Sequence, residues 1–245
     1  MDQERLATYL SAWIADQVTA SGGRGVVFGL SGGLDSAVVT ALCKRAFPQH
    51  SLGLILPCHS DPRDAEDARL IAQHFGLATA VVDLSEVYDA LCQRLHEVVS
   101  DLPDEHGLAC ANIKPRLRMT TLYAFANHHN YRVVGTGNRS ELTVGYFTKY
   151  GDGGVDFLPL GSLTKTRVRE LAHYLGVPRQ IIEKPPSAGL WEGQTDEGEM
   201  GMSYAELDAY LEERDQAARD KVEALRAASE HKRRLPVIAP LPDDL

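Results

Sequence analysis

The chain has 245 residues, of which 44% are hydrophobic and 24% charged, and its formal net charge is −9. That length and balance suit one large domain with a well-buried core, and the acidic surplus argues against general nucleic-acid binding. With no run of 18 apolar residues, a membrane-spanning helix is excluded. The first residues, MDQERLATYL, carry no basic stretch followed by an apolar core, so no signal peptide is expected. The four cysteines, at 43, 58, 92 and 110, form no C-x-x-C pair. They read as reduced thiols in a cytoplasmic protein and not as a zinc site.

Taken in order, residues 5 to 21 predict an amphipathic helix with Leu6, Tyr9, Leu10, Trp13, Ile14 and Val18 on one face, for packing or dimerisation. Val26 to Phe28 reads as a buried strand, Gly29 to Gly33 as a loop almost without side chains, and Leu34 to Leu42 as the start of a helix. Strands follow at Leu52 to Pro57 and at Ala80 to Leu84. Between them Asp61-Pro62 caps a helix that runs to Phe75. Residues 87–99 predict a helix and 101–111 a polar, irregular loop. Asn112 to Arg118 then opens a helix to His129, and Arg132 to Val134 is a fourth strand. Leu158-Pro159-Leu160 reads as a short fifth strand. Thr164 to Leu175 is a helix ended by Gly176, residues 184–201 form a long loop, and a capping box at Ser203 starts a helix to about Ala227. Strands alternating with helices imply a doubly wound, mostly parallel α/β sheet with helices on both faces and the ligand at the strands' carboxyl ends. No internal repeat or interdomain linker is visible, so residues 1–245 read as a single domain.

Strand, glycine loop and helix together build an anion site, because glycines let the backbone approach a ligand and a helix N-terminus offers unpaired N–H groups. The loop is not an ordinary P-loop, since no lysine follows Gly33. It fits a serine nucleophile elbow as Gly29-Leu30-Ser31-Gly32-Gly33. It also fits S-G-G-x-D-S, as Ser31-Gly32-Gly33-Leu34-Asp35-Ser36. The second pattern resembles the signature of the N-type ATP pyrophosphatases. A carboxylate beside a phosphate site makes sense with a cation between them, and Asp35 stands where an elbow has no use for it. Three cations, Lys114, Arg116 and Arg118, crowd a helix start that is already positive, so they read as facing an anion.

Eight stretches in order, GLSGGLDS, NIKPRLR, GTGNRSE, KYGDGGVD, LTKT, KPPSAGLW, QTDEGEMG and HKRRLP, resemble the ammonia-dependent NAD synthetases over nearly the whole chain. The resemblance implies an adenine nucleotide alpha hydrolase-like, Rossmann-like fold. It implies ATP-dependent amidation of deamido-NAD with ammonia, through an adenylate, giving NAD, AMP and pyrophosphate. By position, Gly29, Leu30, Ser31, Gly32, Gly33, Leu34, Asp35 and Ser36 would bind ATP with Thr136, Lys165 and Ser187. Asp35 and Glu141 would hold Mg2+, and Asp35 and Lys165 would be catalytic. Arg116, Lys149, Asp156, His231 and Lys232 would bind deamido-NAD, in part across a homodimer interface. Glutamine-dependent relatives carry an extra amidase domain, which does not fit before Ser31, so free ammonia, or ammonia from a separate protein, is the implied donor. One departure is Pro115, where alanine is expected, and Cys58-His59-Ser60 after the second strand matches no pattern of the family. Rival readings are another enzyme of the same loop class acting on a different acceptor, a serine hydrolase using Ser31, Asp156 and His231, and an ATP-binding regulatory module.

Overall fold

A computed structural model describes residues 2–99, 107–187, 189–191 and 193–242. Helix α1 (Gln3–Ala20) starts at Asp2, whose carboxylate accepts the N–H groups of Glu4 and Arg5. Strand β1 (Gly25–Gly29), helix α2 (Leu34–Ala46), strand β2 (Ser51–Ile55), helix α3 (Pro62–Phe75) and strand β3 (Ala78–Val81) follow as two β–α–β units. Asp61 caps α3 with proline in its first turn, and Gly76 closes it in the left-handed conformation. The chain then recrosses the sheet through α4 (Ser85–Val98), α5 (Leu108–Ala111) and α6 (Ile113–His129) to reach β4 (Tyr131–Val133). After these come α7 (Arg139–Val144), α8 (Lys165–Leu175), α9 (Arg179–Glu183), α10 (Asp196–Met200), α11 (Tyr204–Leu211), α12 (Arg219–Ala228) and α13 (Glu230–Arg233).

All strands are parallel, in the order β3-β2-β1-β4. The direction of winding reverses between β1 and β4. A crevice therefore opens at their carboxyl ends, where ligands bind in open α/β sheets. Both faces of the sheet are covered. Val26 and Phe28 point into a core built with α1, α2 and α8, while Val27 points into a second core with Leu54, Tyr88, Leu122 and Val133. That alternation is the period of two of a strand buried on both sides. A third, smaller core (Val144, Met200, Met202, Tyr204, Leu207, Val222) joins α7 to the C-terminal helices.

Several expectations change. The fifth strand shrinks to a single bridge between Val134 and Phe157, one residue before the predicted segment, where Pro159 has no N–H to donate. β3 lies two residues earlier than predicted and is a largely exposed edge strand. Of the predicted loop 101–111, residues 101–106 lie outside the described residues, and Leu108–Ala111 is a helical turn. The loop 184–201 contains α10, capped by Thr195. The predicted helix from Ser203 to Ala227 is two helices. Glu213 takes a left-handed φ of 59° and the N–H groups of Arg214 and Asp215 fold back onto the Ala209 carbonyl. Pro115 does not disturb α6, because it is the third residue of the helix, where an N–H has no partner inside the helix. On α1, Ile14 and Val18 are fully buried, whereas Tyr9 is 63% exposed and leaves the predicted face.

Since α1 is seated in the core, truncating it should cost folding energy in each chain. Ile14→Ala should lower stability by about 2–5 kcal/mol in urea unfolding. The loss should not vary with protein concentration; a loss seen only in dilute protein would place α1 at a subunit contact.

Candidate functional site at the carboxyl ends of β1 and β4

The loop after β1 is shaped by its own small side chains. The Ser31 hydroxyl accepts the Gly33 N–H at 3.3 Å and lies 3.2 Å from the Ser36 hydroxyl, which donates to the Gly33 carbonyl at 2.9 Å. Gly32 has a φ of 80°, and a Cβ there would collide with the Asp64 carbonyl of α3. Glycine is therefore required on two counts. Leu30 and Leu34 are buried and anchor the loop's ends. Gly33 is the N-cap of α2 and offers no side chain to the first-turn N–H groups. That leaves an anion cradle facing the crevice.

Asp35, on the first turn of α2, faces two other elements. Its Oδ2 accepts the Lys165 ammonium at 2.5 Å, and its Oδ1 accepts Asn138 Nδ2 at 3.0 Å. Lys165, the first residue of α8, is 4% exposed and also bonds Glu141 Oε1 at 3.1 Å. Glu141 is fixed by a capping box on α7, in which Asn138 and Glu141 exchange hydrogen bonds between side chain and backbone. Tyr204 donates to Asp196 Oδ2 at 2.9 Å and to Glu141 Oε1 at 3.3 Å, and its ring lies 4.9 Å from the Lys165 nitrogen. Asp196 Oδ1 is buried and has no hydrogen-bond partner among the described residues.

Electrostatics follow from this crowding. Burial, with the neighbouring Asp35 charge, pushes the Glu141 carboxyl up to about 7, although Lys165 pulls it down. Burial also raises Asp196 against the opposing effect of Lys165 and the Tyr204 hydroxyl. Burial opposes the Lys165 charge, but Asp35 and Glu141 outweigh it and hold its pKa above the usual lysine value. Two carboxylates thus share one ammonium with a third, Asp196, close behind on Tyr204, and the site carries surplus negative charge suited to a further cation. Among the described residues no group of three His, Cys, Asp or Glu side chains is arranged to enclose a metal by itself. An Mg2+ ion here would complete its shell from phosphate oxygens and water, its usual habit.

Other predicted residues fall into separate groups. Thr136 is half-buried on the loop leaving β4. Ser187 is exposed, accepting the Gly189 N–H at 3.1 Å. Its loop lies along α3, which Lys184 holds through Asp64 and Asp67 at 2.8 and 2.6 Å. Arg116 donates to the Lys149 carbonyl at 3.4 Å and Lys149 to the His231 carbonyl at 2.6 Å, so these three form one basic group. Lys232 is turned onto the Gly145 and Phe147 carbonyls, at 2.8 and 2.9 Å. Asp156 is occupied by Tyr123 and the Val133 N–H, at 3.1 and 2.7 Å, and tethers β4. The Ser31 and Asp156 partners are thus different, and the bonds of neither lead to a serine relay. Asn138, Asp196 and Tyr204 were not singled out from the sequence, although the N-x-x-E spacing of a capping box was readable at Asn138.

The sequence profile of the NAD synthase family matches residues 6–236. The chain belongs to the NAD synthase family. An NH(3)-dependent NAD(+) synthetase from Carboxydothermus hydrogenoformans is 55% identical over 228 residues, 92% of this chain and 93% of that one. One from Syntrophomonas wolfei is 45% identical over 100% of this chain and 99% of that one. Among solved structures, an NMN synthetase from Francisella tularensis superposes with a TM-score of 0.92 at 35% identity, over 98% and 100% of the two chains. An NH3-dependent NAD synthetase from Campylobacter jejuni superposes with a TM-score of 0.78 at 30% identity, over 98% and 100%. In NAD synthase terms the Lys165 cluster is built by the GLSGGLDS, GTGNRSE and LTKT stretches, which the fold brings together from three parts of the chain.

Lys165→Met should leave Asp35 and Glu141 facing each other without a cation and cost about 3–5 kcal/mol of stability. Adding Glu141→Gln should recover part of that loss, and chemical denaturation of the single and double variants measures the coupling. Strictly additive losses would show that the ammonium does not hold the two carboxylates together.

Proposed function

We propose that this chain joins ammonia to the nicotinate carboxylate of deamido-NAD, at the expense of ATP, giving NAD, AMP and pyrophosphate. The observation that carries this reading is the Lys165 ammonium held between Asp35 and Glu141, beside the uncapped start of α2 and across the switch point of the sheet. A carboxylate oxygen of the acceptor attacks the α-phosphorus of ATP, and the bond to the bridging oxygen of pyrophosphate breaks. Ammonia nitrogen then attacks the carbonyl carbon of the acyl adenylate and gives up a proton to water as AMP leaves with the former carboxylate oxygen. The acceptor is already ionised at neutral pH, so the first step needs no base. Its obstacle is repulsion between anions, answered by the loop amides and Lys165 on one side and the Arg116, Lys149 and His231 group on the other. Thr136 and Ser187 flank the nucleotide in this reading, and Lys232 and Asp156 support the acceptor's side through the backbone they hold. Mg2+, held by Asp35 and Glu141 with the buried Asp196 oxygen in reserve, would neutralise phosphate charge when bound.

The chain works as one domain in this reading, as a homodimer in the cytoplasm. Pairing is supported by α4, which exposes Val87, Leu91 and Val98, the last at 83%. A cytoplasmic setting is supported by four free thiols, three of them buried. No described helix is long and apolar enough to cross a membrane. The likeness to an NMN synthetase, 35% identical over 98% of this chain, supports as a second acceptor the nicotinate mononucleotide, carrying the same reacting carboxylate.

Incubation with ATP, Mg2+, ammonium chloride and deamido-NAD should yield AMP, pyrophosphate and NAD in equal amounts, with all three lost in Asp35→Ala. If the mononucleotide alone is amidated, the acceptor is the smaller one. Cleavage of ATP to ADP would contradict the reading of the loop.

A further inference from the structure

The three cations at the start of α6 do not act together. Arg116 is exposed and joins the Lys149 group, whereas Lys114 and Arg118, four residues apart, share the opposite face. Lys114 reaches the Leu190 carbonyl at 2.8 Å and ties α6 to the loop that contains Ser187. Arg118 reaches the exit of β2. Its Nε donates to the Leu56 carbonyl at 3.0 Å and one Nη donates to the Ser60 hydroxyl at 3.1 Å. A guanidinium carries five N–H groups. The other three have no acceptor, and no carboxylate lies within ion-pair distance, among the described residues. Burial pushes its pKa down, the mark of a cation held at a cost. The carboxylates that act on it from further away are Asp64 and Asp152. The Asp64 carbonyl abuts Gly32 of the phosphate loop, and Asp152 stands three residues beyond Lys149. Arg118 therefore occupies the seam between the nucleotide's half of the crevice and the acceptor's half.

One group in the proposed reaction belongs to both halves. The α-phosphoryl group begins on ATP and, once the bond to pyrophosphate is broken, is bonded to the acceptor carboxylate. We propose that Arg118 binds this α-phosphoryl group through the side of its guanidinium not committed to Leu56 and Ser60, and stays on it through both steps. The two protein bonds fix the plane of the fork, leaving its remaining N–H groups for phosphate oxygens. The role rests on the ATP-dependent amidation proposed above.

Titration of the whole chain with AMP and with adenosine separates the contribution of this phosphate from that of the rest of the nucleotide. The unaltered protein should bind AMP about tenfold or more tightly than adenosine, one charge-assisted contact's worth. Arg118→Met should erase that preference, leave adenosine binding unchanged, raise the KM for ATP by up to about tenfold and lower kcat about 10²–10³-fold. Arg118→Lys should restore part of both. Arg118→Gln retains an N–H for the Leu56 carbonyl and gives the same reading if the methionine variant does not fold. An unchanged ratio of AMP to adenosine affinity in the neutral variants would overturn the proposal and leave Arg118 as a tether of the β2 exit. Failure of the unaltered protein to form AMP would instead overturn the amidation reading itself.

Discussion

The site depends on a single buried ammonium shared by two half-buried carboxylates. Lys165 belongs to α8, Asp35 to α2 and Glu141 to α7, so the cluster joins residues 130 and 24 positions apart in the chain. Each partner alone would be a charge removed from water, which costs several kcal/mol. Together they are tolerable, and the arrangement fixes how the three helices meet. A buried ion group of this kind is weak evidence of stability, but it is demanding about geometry. Here that demand falls where the sheet reverses its winding and where a ligand enters.

The same electrostatic economy resolves the apparent conflict between an acidic chain and anionic substrates. With a net charge of −9, the surface as a whole repels nucleotides. The cations that matter are placed individually, by backbone carbonyls more often than by acids. Lys114 is held by Leu190, Lys149 by His231, Lys232 by Gly145 and Phe147, and Arg118 by Leu56. A carbonyl fixes a cation without cancelling its charge, so each keeps its positive charge in place.

Much of this was legible in the sequence, for identifiable reasons. The phosphate loop, α2, α3 and α8 announce themselves through glycines, Asp61-Pro62 and Thr164, whose effects are local. The α/β class and the parallel sheet followed from the alternation of strands and helices. What local chemistry did not show was long-range. The edge strand β3, Ala-Thr-Ala-Val, is small and largely exposed, so its start two residues before the apolar run carries no local signal. The break at Glu213 has no glycine or proline to mark it and accompanies the bonding of Glu212 to Thr164 and Arg167, 48 and 45 residues away. Lys232 was read by position as a ligand for substrate, and its bonds to two carbonyls required the fold to bring α13 against α7. Asp196 and Tyr204 lie on segments that read as loop and helix start, and only packing aims them at Glu141.

Those last contacts also set an order of events during synthesis. Arg233 donates to the Leu142 and Thr143 carbonyls, and Ser229 to that of Val144, so the end of α7 is closed by residues made almost ninety positions later. The opposite end of α7 carries Glu141. A ribosome that has delivered the phosphate loop, the whole sheet and α8 has therefore still not delivered the groups that secure the helix beneath Glu141. The sheet can assemble as it emerges, but the crevice acquires its final form only once α13 has left the exit tunnel.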